Sequence, residues 1–275
     1  MGSTVERLLV RTWNLFHGNA QPPGRKAFLE EMVRLASADR PDVLCLQELP
    51  LWALARLEAW SGMTAVADVA QRPRLGPLPS TPEVGRILTA IHHGILRSAF
   101  TGQANAILLG SGLDVVEHRR VVLNPRRFRR AQGRRLGLGI VPRLAWGKER
   151  RVCQAVRLRQ PSATFVVGNL HATSYPDKRL ADAELLRAAV FVDGMAGPSE
   201  PVLLCGDFNL SVRRSRTLAD LGGPDWGFAG PTPTGIDHVL VRGLRPGEPE
   251  RWADARRQHE GRLLSDHAPV DVEVG

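Results

Sequence analysis

The stretch Val202-Leu203-Leu204-Cys205-Gly206-Asp207-Phe208-Asn209 is an apolar run that ends abruptly in an acid and an amide. In an extended backbone, residues two apart project from the same face of a sheet. We therefore expect Asp207 and Asn209 to point the same way from the end of a strand, while Phe208 turns toward the interior. A carboxylate and an amide side by side are suited to binding a phosphate group.

Four other apolar runs also adjoin a small polar cluster. They pair residues 8–10 with Thr12-Trp13-Asn14, residues 43–46 with Gln47-Glu48, residues 165–167 with Asn169 and His171, and residues 268–270 with Ser265-Asp266-His267. A single Gly-Asp or Ser-Asp pair is usually a plain turn. Five such clusters on one chain instead indicate one shared site. The candidates for it are Asn14, Glu48, His171, Asp207, Asn209, Asp237, Asp266 and His267.

This ordered set resembles the endonuclease/exonuclease/phosphatase superfamily, which includes DNase I, abasic-site nucleases of the exonuclease III type, inositol polyphosphate 5-phosphatases and neutral sphingomyelinases. The resemblance covers nearly the whole chain and implies an α/β fold, a four-layer α/β sandwich in which helices flank two packed mixed β-sheets. It rests on the segments Thr12-Trp13-Asn14, Leu46-Gln47-Glu48, Gly168-Asn169-Leu170-His171, Gly206-Asp207-Phe208-Asn209, Ile236-Asp237-His238-Val239 and Ser265-Asp266-His267-Ala268-Pro269.

Hydrophobic patterning predicts strands and helices that agree with this fold. Strand-like runs fall at about residues 5–12, 42–47, 104–110, 151–159, 163–170, 201–206, 236–242 and 268–274. Apolar stripes predict helices over 25–38 and 177–195, with a weaker one around 49–60. The connection 160–162 is too short for a crossover helix and requires antiparallel neighbours. We predict variable loops at 71–85, 119–151 and 211–235.

Composition limits the class of protein. The motifs span most of the 275 residues without a low-complexity linker, so we expect one domain over 1–275. A net charge of +9 favours an anionic partner such as nucleic acid, although nearly all the cations are Arg, as codon bias in a GC-rich genome would also produce. Three cysteines inside apolar runs, with no leader or membrane span, favour a reduced cytoplasmic protein; no membrane association or obligate protein partner is predicted.

The resemblance implies roles for the candidate residues. Glu48 is the leading ligand for Mg²⁺, with Mn²⁺ as the other option, and Asn14 and Asp266 lie near the metal. Asp207 orients or deprotonates the attacking water, with a His-Asp pair as the alternative base, and Asn209 holds the Asp207 carboxylate or donates to the phosphate. The remaining positions match residues that contact the scissile phosphate, His171 and His267, and the acid that orients the second of these, Asp237.

The chain also departs from the family pattern. The exonuclease III type has an Asp two residues after the first Asn, where this sequence has Phe16, so a single metal held mainly by Glu48 is the simpler expectation. Glu83 is only a weak candidate for the acid that orients the first histidine in the DNase I type. Six further histidines are left out of the predicted site: His17, His92, His93, His118, His238 and His259.

Substrate contacts are predicted mainly in the Arg-rich loop. Arginine binds phosphate bidentately and without base preference, which favours nucleic acid, DNA first, bound through basic loops. A phosphatase or phosphodiesterase of a small phosphoester is the alternative, and a non-catalytic binding module is a third. Asn105 fits substrate contact or a strand-start amide, and Trp226, like Trp146, fits base stacking or a buried anchor. The arginines assigned to substrate are Arg126, Arg127, Arg129 and Arg130.

Overall fold

A computed structural model of the chain describes residues 5–23, 26–75, 78–91 and 98–275. Within these residues, two β-sheets pack face to face. The first sheet is mixed, with β1 and β3 parallel and every other neighbouring pair antiparallel. Its strands in spatial order are β13 (Glu250–Arg251), β16 (Val270–Val274), β1 (Leu8–Asn14), β3 (Val43–Leu49), β7 (Gln103–Leu109) and β4 (Thr64–Gln71).

The second sheet is also mixed, since β10 and β11 are parallel and the other pairs are antiparallel. Its order is β12 (Asp237–Arg242), β11 (Val202–Asp207), β10 (Thr164–His171), β9 (Val152–Arg159) and β8 (Asp114–Val122). Two small sheets lie beside these, one of β14 (Gln258–His259), β15 (Arg262–Leu264) and β2 (Ala20–Gln21), the other of β5 (Arg74–Leu75) and β6 (Leu78–Pro79).

Helices cover the outer faces of the sheets and fill the connections. No helix in the described ranges is long and apolar enough to cross a membrane. The α-helices are α1 (Leu29–Ser37), α2 (Leu57–Ser61), α3 (Pro82–Ile91), α4 (Ser98–Thr101), α5 (Arg126–Arg135), α6 (Ile140–Ala145), α7 (Arg179–Asp193) and α8 (Arg216–Leu221). Short 3-10 helices span Phe16–Gly18, Leu51–Arg56 and Asp254–Arg257.

The layers follow from the two-residue period of the strands. In β3, Val43 and Cys45 face the second sheet, while Leu44 and Leu46 face the helices. The core between the sheets joins residues from both of them, and both faces of the central strands are buried, as continuous apolar runs require. Outside the sheets, α1 covers the first and α7 covers the second. The four-layer α/β sandwich is therefore confirmed.

The predicted strands are present, but the prediction of a loop over 119–151 was wrong. Arg119 and Arg120 lie on β8, and residues 126–135 form α5. Both elements lack an apolar stripe, because β8 is an exposed edge strand and α5 contains six arginines in ten residues. Arginine nevertheless favours the helix, and Phe128 anchors α5 by packing edge-on against Trp146. The edge strand β4 was also missed.

Two other loop predictions were right only in part. The stretch 71–85 contains β5, β6 and the start of α3, and the stretch 211–235 contains α8. The weak helix over 49–60 is divided between a 3-10 helix and α2. The three cysteines are buried and unpaired, as predicted from their apolar contexts.

A buried arginine joins two strands of the first sheet to the end of helix α1. Arg11, on β1, is fully buried and donates to Asp271 on β16 at 2.6 Å and to Asp39 after α1 at 2.6 Å. A further bond of 2.6 Å reaches the carbonyl of Ala36, and the guanidinium lies 4.3 Å from the ring centre of Trp252. Two carboxylates and an aromatic face therefore compensate the desolvation of this cation.

We predict that Arg11→Met lowers the free energy of unfolding by about 3 kcal/mol at pH 7, because it removes the cation shared by Asp271 and Asp39 and leaves them, within the described residues, only Trp252 and Arg256 as side-chain partners. The hydrogen bond from Arg11 lowers the pKa of Asp39, so this stabilisation is lost as the pH falls below about 4 and the difference from wild type should shrink there. Urea unfolding followed by circular dichroism measures both effects. The control is Arg34→Met, which breaks an exposed i,i+4 pair and should change stability by less than about 0.5 kcal/mol. Equal losses in the two variants would contradict the assignment.

Candidate active site

The site lies where the two sheets bring the ends of their parallel strands together. Asn14 and Glu48 stand at the ends of β1 and β3, and His171 and Asp207 stand at the ends of β10 and β11. Polar side chains link these ends across the sandwich. Asn14 Nδ2 donates to Asp207 Oδ2 at 3.0 Å. One residue further into the sheets, Gln47 Nε2 donates to Asn169 Oδ1 at 2.9 Å.

Asp207 is the centre of this hydrogen-bond network. Its Oδ1 accepts from the backbone N–H of Asn209 at 2.9 Å, and its Oδ2 accepts from the Asn209 side chain at 3.2 Å. Asn209 is itself held by the carbonyl of Ala172. Burial raises the pKa of Asp207 to about 6, and the nearby charge of Asp237 adds to this rise, while His267 and Asn14 oppose it.

A glycine makes this position of Asp207 possible. Gly206 has φ 135, and a Cβ atom at this residue would overlap the carbonyl oxygen of Leu170 on the neighbouring strand. The close approach aligns β10 and β11 so that His171 pairs directly with Asp207 in the parallel register. Only glycine fits both the backbone conformation and the available space.

His267 forms a pair with Asp237. Its Nδ1 lies 2.8 Å from Asp237 Oδ2, and its Nε2 lies 3.9 Å from Asp207 Oδ2. Burial disfavours the charged form of His267, but the hydrogen bond and charge of Asp237 outweigh it and raise the pKa to about 10. His267 is therefore an imidazolium cation at neutral pH. Asp266 is exposed, and its contribution to this geometry is a charge beside the imidazolium and a place in the wall of the adjoining cavity.

His171 is held in the opposite state. Burial lowers its pKa well below the usual value, and the charge of Arg151 lowers it further. Gln103 Nε2 lies 2.8 Å from His171 Nδ1, and Arg151 Nη1 lies 2.8 Å from Nδ1 and 3.1 Å from Nε2. Both donors are closest to Nδ1, which is therefore the acceptor, and the proton is on Nε2. Nε2 faces Asp207 at 3.4 Å and Glu48 at 3.6 Å. Glu83, the weak sequence candidate for orienting this ring, is exposed on α3.

Glu48 lies at the edge of the two sheets, next to a third histidine, His17. Its carboxylate is 3.3 Å from His17 Nε2, and its side chain retains 19% of its exposure. Burial raises the pKa of Glu48 to about 7; Asp207 adds to the rise, whereas Arg151 and Asn14 oppose it. A carboxylate with this much unfavourable desolvation is stabilised by an additional cation.

The donor set fits a divalent metal ion. Hard oxygen ligands suit Mg²⁺ or Mn²⁺, and Glu48 supplies a carboxylate that burial and Asp207 both destabilise as an anion. A second group of donors is more compact, because ligand atoms of Asp207, Asp237 and His267 all lie within 4.8 Å of one another and could also hold a metal. In that group, however, the imidazole and one carboxylate already bond to each other.

Backbone strain concentrates at the same place. Five non-glycine residues near the strand ends have positive φ, with values of 50 to 60. Such residues are costly in free energy and persist where the surrounding structure enforces them, often at functional sites. They are Phe16, His17, Glu48, Asn209 and Ser265.

The residues predicted to contact substrate are dispersed. Asn105 is buried and donates to the carbonyl of Val152 at 3.3 Å; Gln103, two residues earlier, is the side chain of β7 that reaches His171. Trp226 is half-buried against the core under α7, and Trp146 is fully buried, with its Nε1 donating to Glu184 at 2.6 Å. The predicted arginines lie on α5, with Arg126, Arg129 and Arg130 lining a cleft.

Sequence reasoning missed three side chains of the site, His17, Gln103 and Arg151. His17 follows β1 in a 3-10 turn, which no strand-end pattern marks. Gln103 is the first residue of β7, which runs antiparallel to β3. Arg151 immediately precedes β9, which runs antiparallel to β10. A polar residue at the start of an antiparallel strand was the sequence signal that could have identified both side chains. Of the other excluded histidines, His238 bonds to backbone and His118 pairs with Asp68, while His92 and His93 lie outside the described residues.

Comparison with known proteins places the chain in a family. No curated protein matches the sequence. An endonuclease/exonuclease/phosphatase from Bacteroides vulgatus has a similar fold, with 13% identity, a TM-score of 0.67, and 98% of this chain and 99% of that one covered. The human Nocturnin catalytic domain with bound sulfate has 15% identity and a TM-score of 0.62, covering 98% and 94%. D. rerio TDP2 complexed with a single-strand DNA product has 13% identity and a TM-score of 0.61, covering 98% and 100%. The model of the Endonuclease/Exonuclease/phosphatase family matches residues 12–267, so this chain belongs to that family.

Proposed function

We propose that the protein is a divalent-metal-dependent phosphodiesterase that hydrolyses phosphodiester bonds in nucleic acid, with DNA as the favoured substrate. The observation that carries this proposal is the convergence on Asp207, whose carboxylate lies 3.0 Å from Asn14, 3.4 Å from His171 and 3.9 Å from His267. A base, a cationic donor and a neutral donor thus surround one small volume. Attack of water on a phosphodiester requires a base to accept the proton of water and donors to stabilise the charge on the phosphate oxygens.

Glu48 would hold the metal, with Asn14 and Asp266 beside it, as the family resemblance implies. When bound, Mg²⁺ or Mn²⁺ would supply positive charge that offsets the charge of the phosphodiester. Glu48 favours such an ion electrostatically, because its own pKa is raised to about 7 by burial. Phe16 in place of a further acid agrees with a single ion.

Asp207 is proposed as the general base. A pKa raised to about 6 leaves it largely ionised at neutral pH yet basic enough to accept a proton from water. Asn14 and Asn209 fix its two oxygens through the bonds described above. The His267-Asp237 pair is less suited to this role, because an imidazolium with a pKa of about 10 has no free lone pair at neutral pH.

The three remaining polar groups would bind the phosphate. His267 presents a charged Nε2–H, and His171 presents a neutral Nε2–H, since its Nδ1 accepts from Gln103 and Arg151. Arg151 is buried and its Nε has no hydrogen-bond partner within the described residues. These donors face the charge that develops on the oxygens as water attacks phosphorus and the bond to the leaving oxygen breaks.

A nucleic-acid substrate is supported by charge. The chain carries a net +9, and the cleft beside α5 is lined by Arg126, Arg129, Arg130, Arg134 and Arg143. Repeated phosphates are the ligand that many arginines bind together. Trp226, half-buried near the core under α7, remains a proposed contact for a base. The likeness to D. rerio TDP2, solved with a single-strand DNA product, supports the same class.

A substrate panel tests the proposal. Purified protein with Mg²⁺ or Mn²⁺ should cleave at least one of duplex, nicked, abasic or single-stranded DNA, and EDTA should abolish cleavage, because the phosphate charge is then not offset. Gel electrophoresis of labelled strands measures the products. RNA and a small phosphomonoester complete the panel. Hydrolysis of the phosphomonoester with every nucleic acid left intact would show that the proposed substrate class is wrong.

Two substitutions test the proposed roles. Asp207→Asn removes the base and His267→Gln removes a cationic donor, and each should lower kcat by at least about 100-fold. Thermal unfolding should show that both variants still fold. The control is His259→Gln, another histidine near a carboxylate but outside the site, which should stay within about twofold of wild type. Wild-type turnover by Asp207→Asn would rule out this carboxylate as the base.

A further inference from the structure

A second basic cleft opens beside the active site and has no part in the mechanism above. Its volume is about 560 Å³, and it lies between the end of β4, strand β8 and the loop before β9. Among the residues that the structure describes, no acidic side chain lines it. Five cations do, and they are Arg72, Arg74, Arg120, Lys148 and Arg150.

The cleft is joined to the active site at two points. Arg150 donates its backbone N–H to Gln71 Oε1 at 3.3 Å, closing the cleft on one side, and the next residue, Arg151, lies 2.8 Å from His171 Nδ1. Gln71 itself pairs with Gln103 in the β4–β7 ladder, and Gln103 also lies 2.8 Å from His171 Nδ1. At each point, a residue of the cleft is the direct neighbour of one that contacts His171, so the cleft lies close to the site.

The cations of this cleft are largely uncompensated. Arg120 has an acidic neighbour, Asp68, at 3.5 Å, whereas no ion pair in the described ranges involves Arg72, Arg74, Lys148 or Arg150. All five residues are exposed. The α5 cleft differs, because Arg129 there donates to the carbonyl of Asn124 and Arg143 to the carbonyl of Gly133. Exposed like charges held close together favour an anionic ligand.

We infer that this cleft binds the phosphate backbone of a nucleic-acid strand on one side of the bond that is cleaved, an inference that rests on the proposed function. In this inference the cations contact phosphate oxygens, which carry no sequence information, so binding is independent of sequence. A long strand gains this binding and a dinucleotide does not. The cleft thus makes the enzyme prefer polymers to small phosphoesters.

Two matched triple variants test the inference. The cleft variant carries Arg72→Gln, Lys148→Gln and Arg150→Gln. The control carries Arg7→Gln, Arg159→Gln and Arg245→Gln, exposed residues at the opposite ends of the strands, so that both lose three charges. Fluorescence anisotropy with a labelled single strand in EDTA measures binding without turnover. The ratio of kcat/KM for a long strand to that for a dinucleotide measures the polymer preference with metal present.

The cleft variant should bind the strand at least about tenfold more weakly, and the slope of log affinity against log salt should fall by about 2, or 0.7 for each lost phosphate contact. The ratio of kcat/KM for the long strand to that for the dinucleotide should also fall in the cleft variant. The control variant should keep most of its strand affinity and most of this ratio. Equal losses in the two variants would overturn the inference about the cleft without contradicting the proposed nuclease function. Loss of binding to phosphatidylserine vesicles with unchanged strand affinity would also overturn it, in favour of a lipid surface. A wild-type enzyme that hydrolyses a small phosphodiester but binds no strand would overturn the proposed function as well.

Discussion

Two parallel strand pairs, one in each sheet, end side by side, and the hydrogen bond from Asn14 to Asp207 joins their ends. The packing of the sheets supports this arrangement, since the apolar inner faces of the central strands meet in one core and specify the register of the strands in each sheet. Side chains that extend past the core then have to point into the same volume. The site is therefore a consequence of how the sheets pack, with Gly206 permitting the close approach that places Asp207 beside His171.

Burial at this end of the sandwich sets the charge states of the residues. It raises the pKa of Asp207 and Glu48 and lowers that of His171, while Asp237 reverses the effect for His267. Of two neighbouring histidines, His267 is thus charged because it bonds to Asp237, whereas His171 is neutral because it is more deeply buried and lies against Arg151. Such divergence among neighbouring titratable groups is characteristic of acid-base catalysis. In the proposed mechanism, it would give the phosphate one charged and one neutral donor and leave a carboxylate to accept the proton.

The sequence predicted those parts of the structure that depend on apolar patterning. Val202 to Cys205 and Val43 to Leu46 are buried on both faces, so their composition alone marked them as strands, and the polar residues after them marked the site. The edge strand β8 and helix α5 were not predicted, because they bury little apolar surface and contain several arginines. Arg11 and Arg151 escaped for a different reason: a buried arginine depends on partners such as Asp271 and His171 that are distant in sequence. Tertiary contacts of that kind leave no local pattern.

Anomalous diffraction from crystals soaked in Mn²⁺ tests most directly whether the strand ends hold one divalent ion at Glu48, next to the proposed base Asp207. The account predicts a single peak within about 2.5 Å of a Glu48 carboxylate oxygen. A peak held by Asp207, Asp237 and His267 with Glu48 remote from it, or no peak at the strand ends at saturating Mn²⁺, would contradict the account.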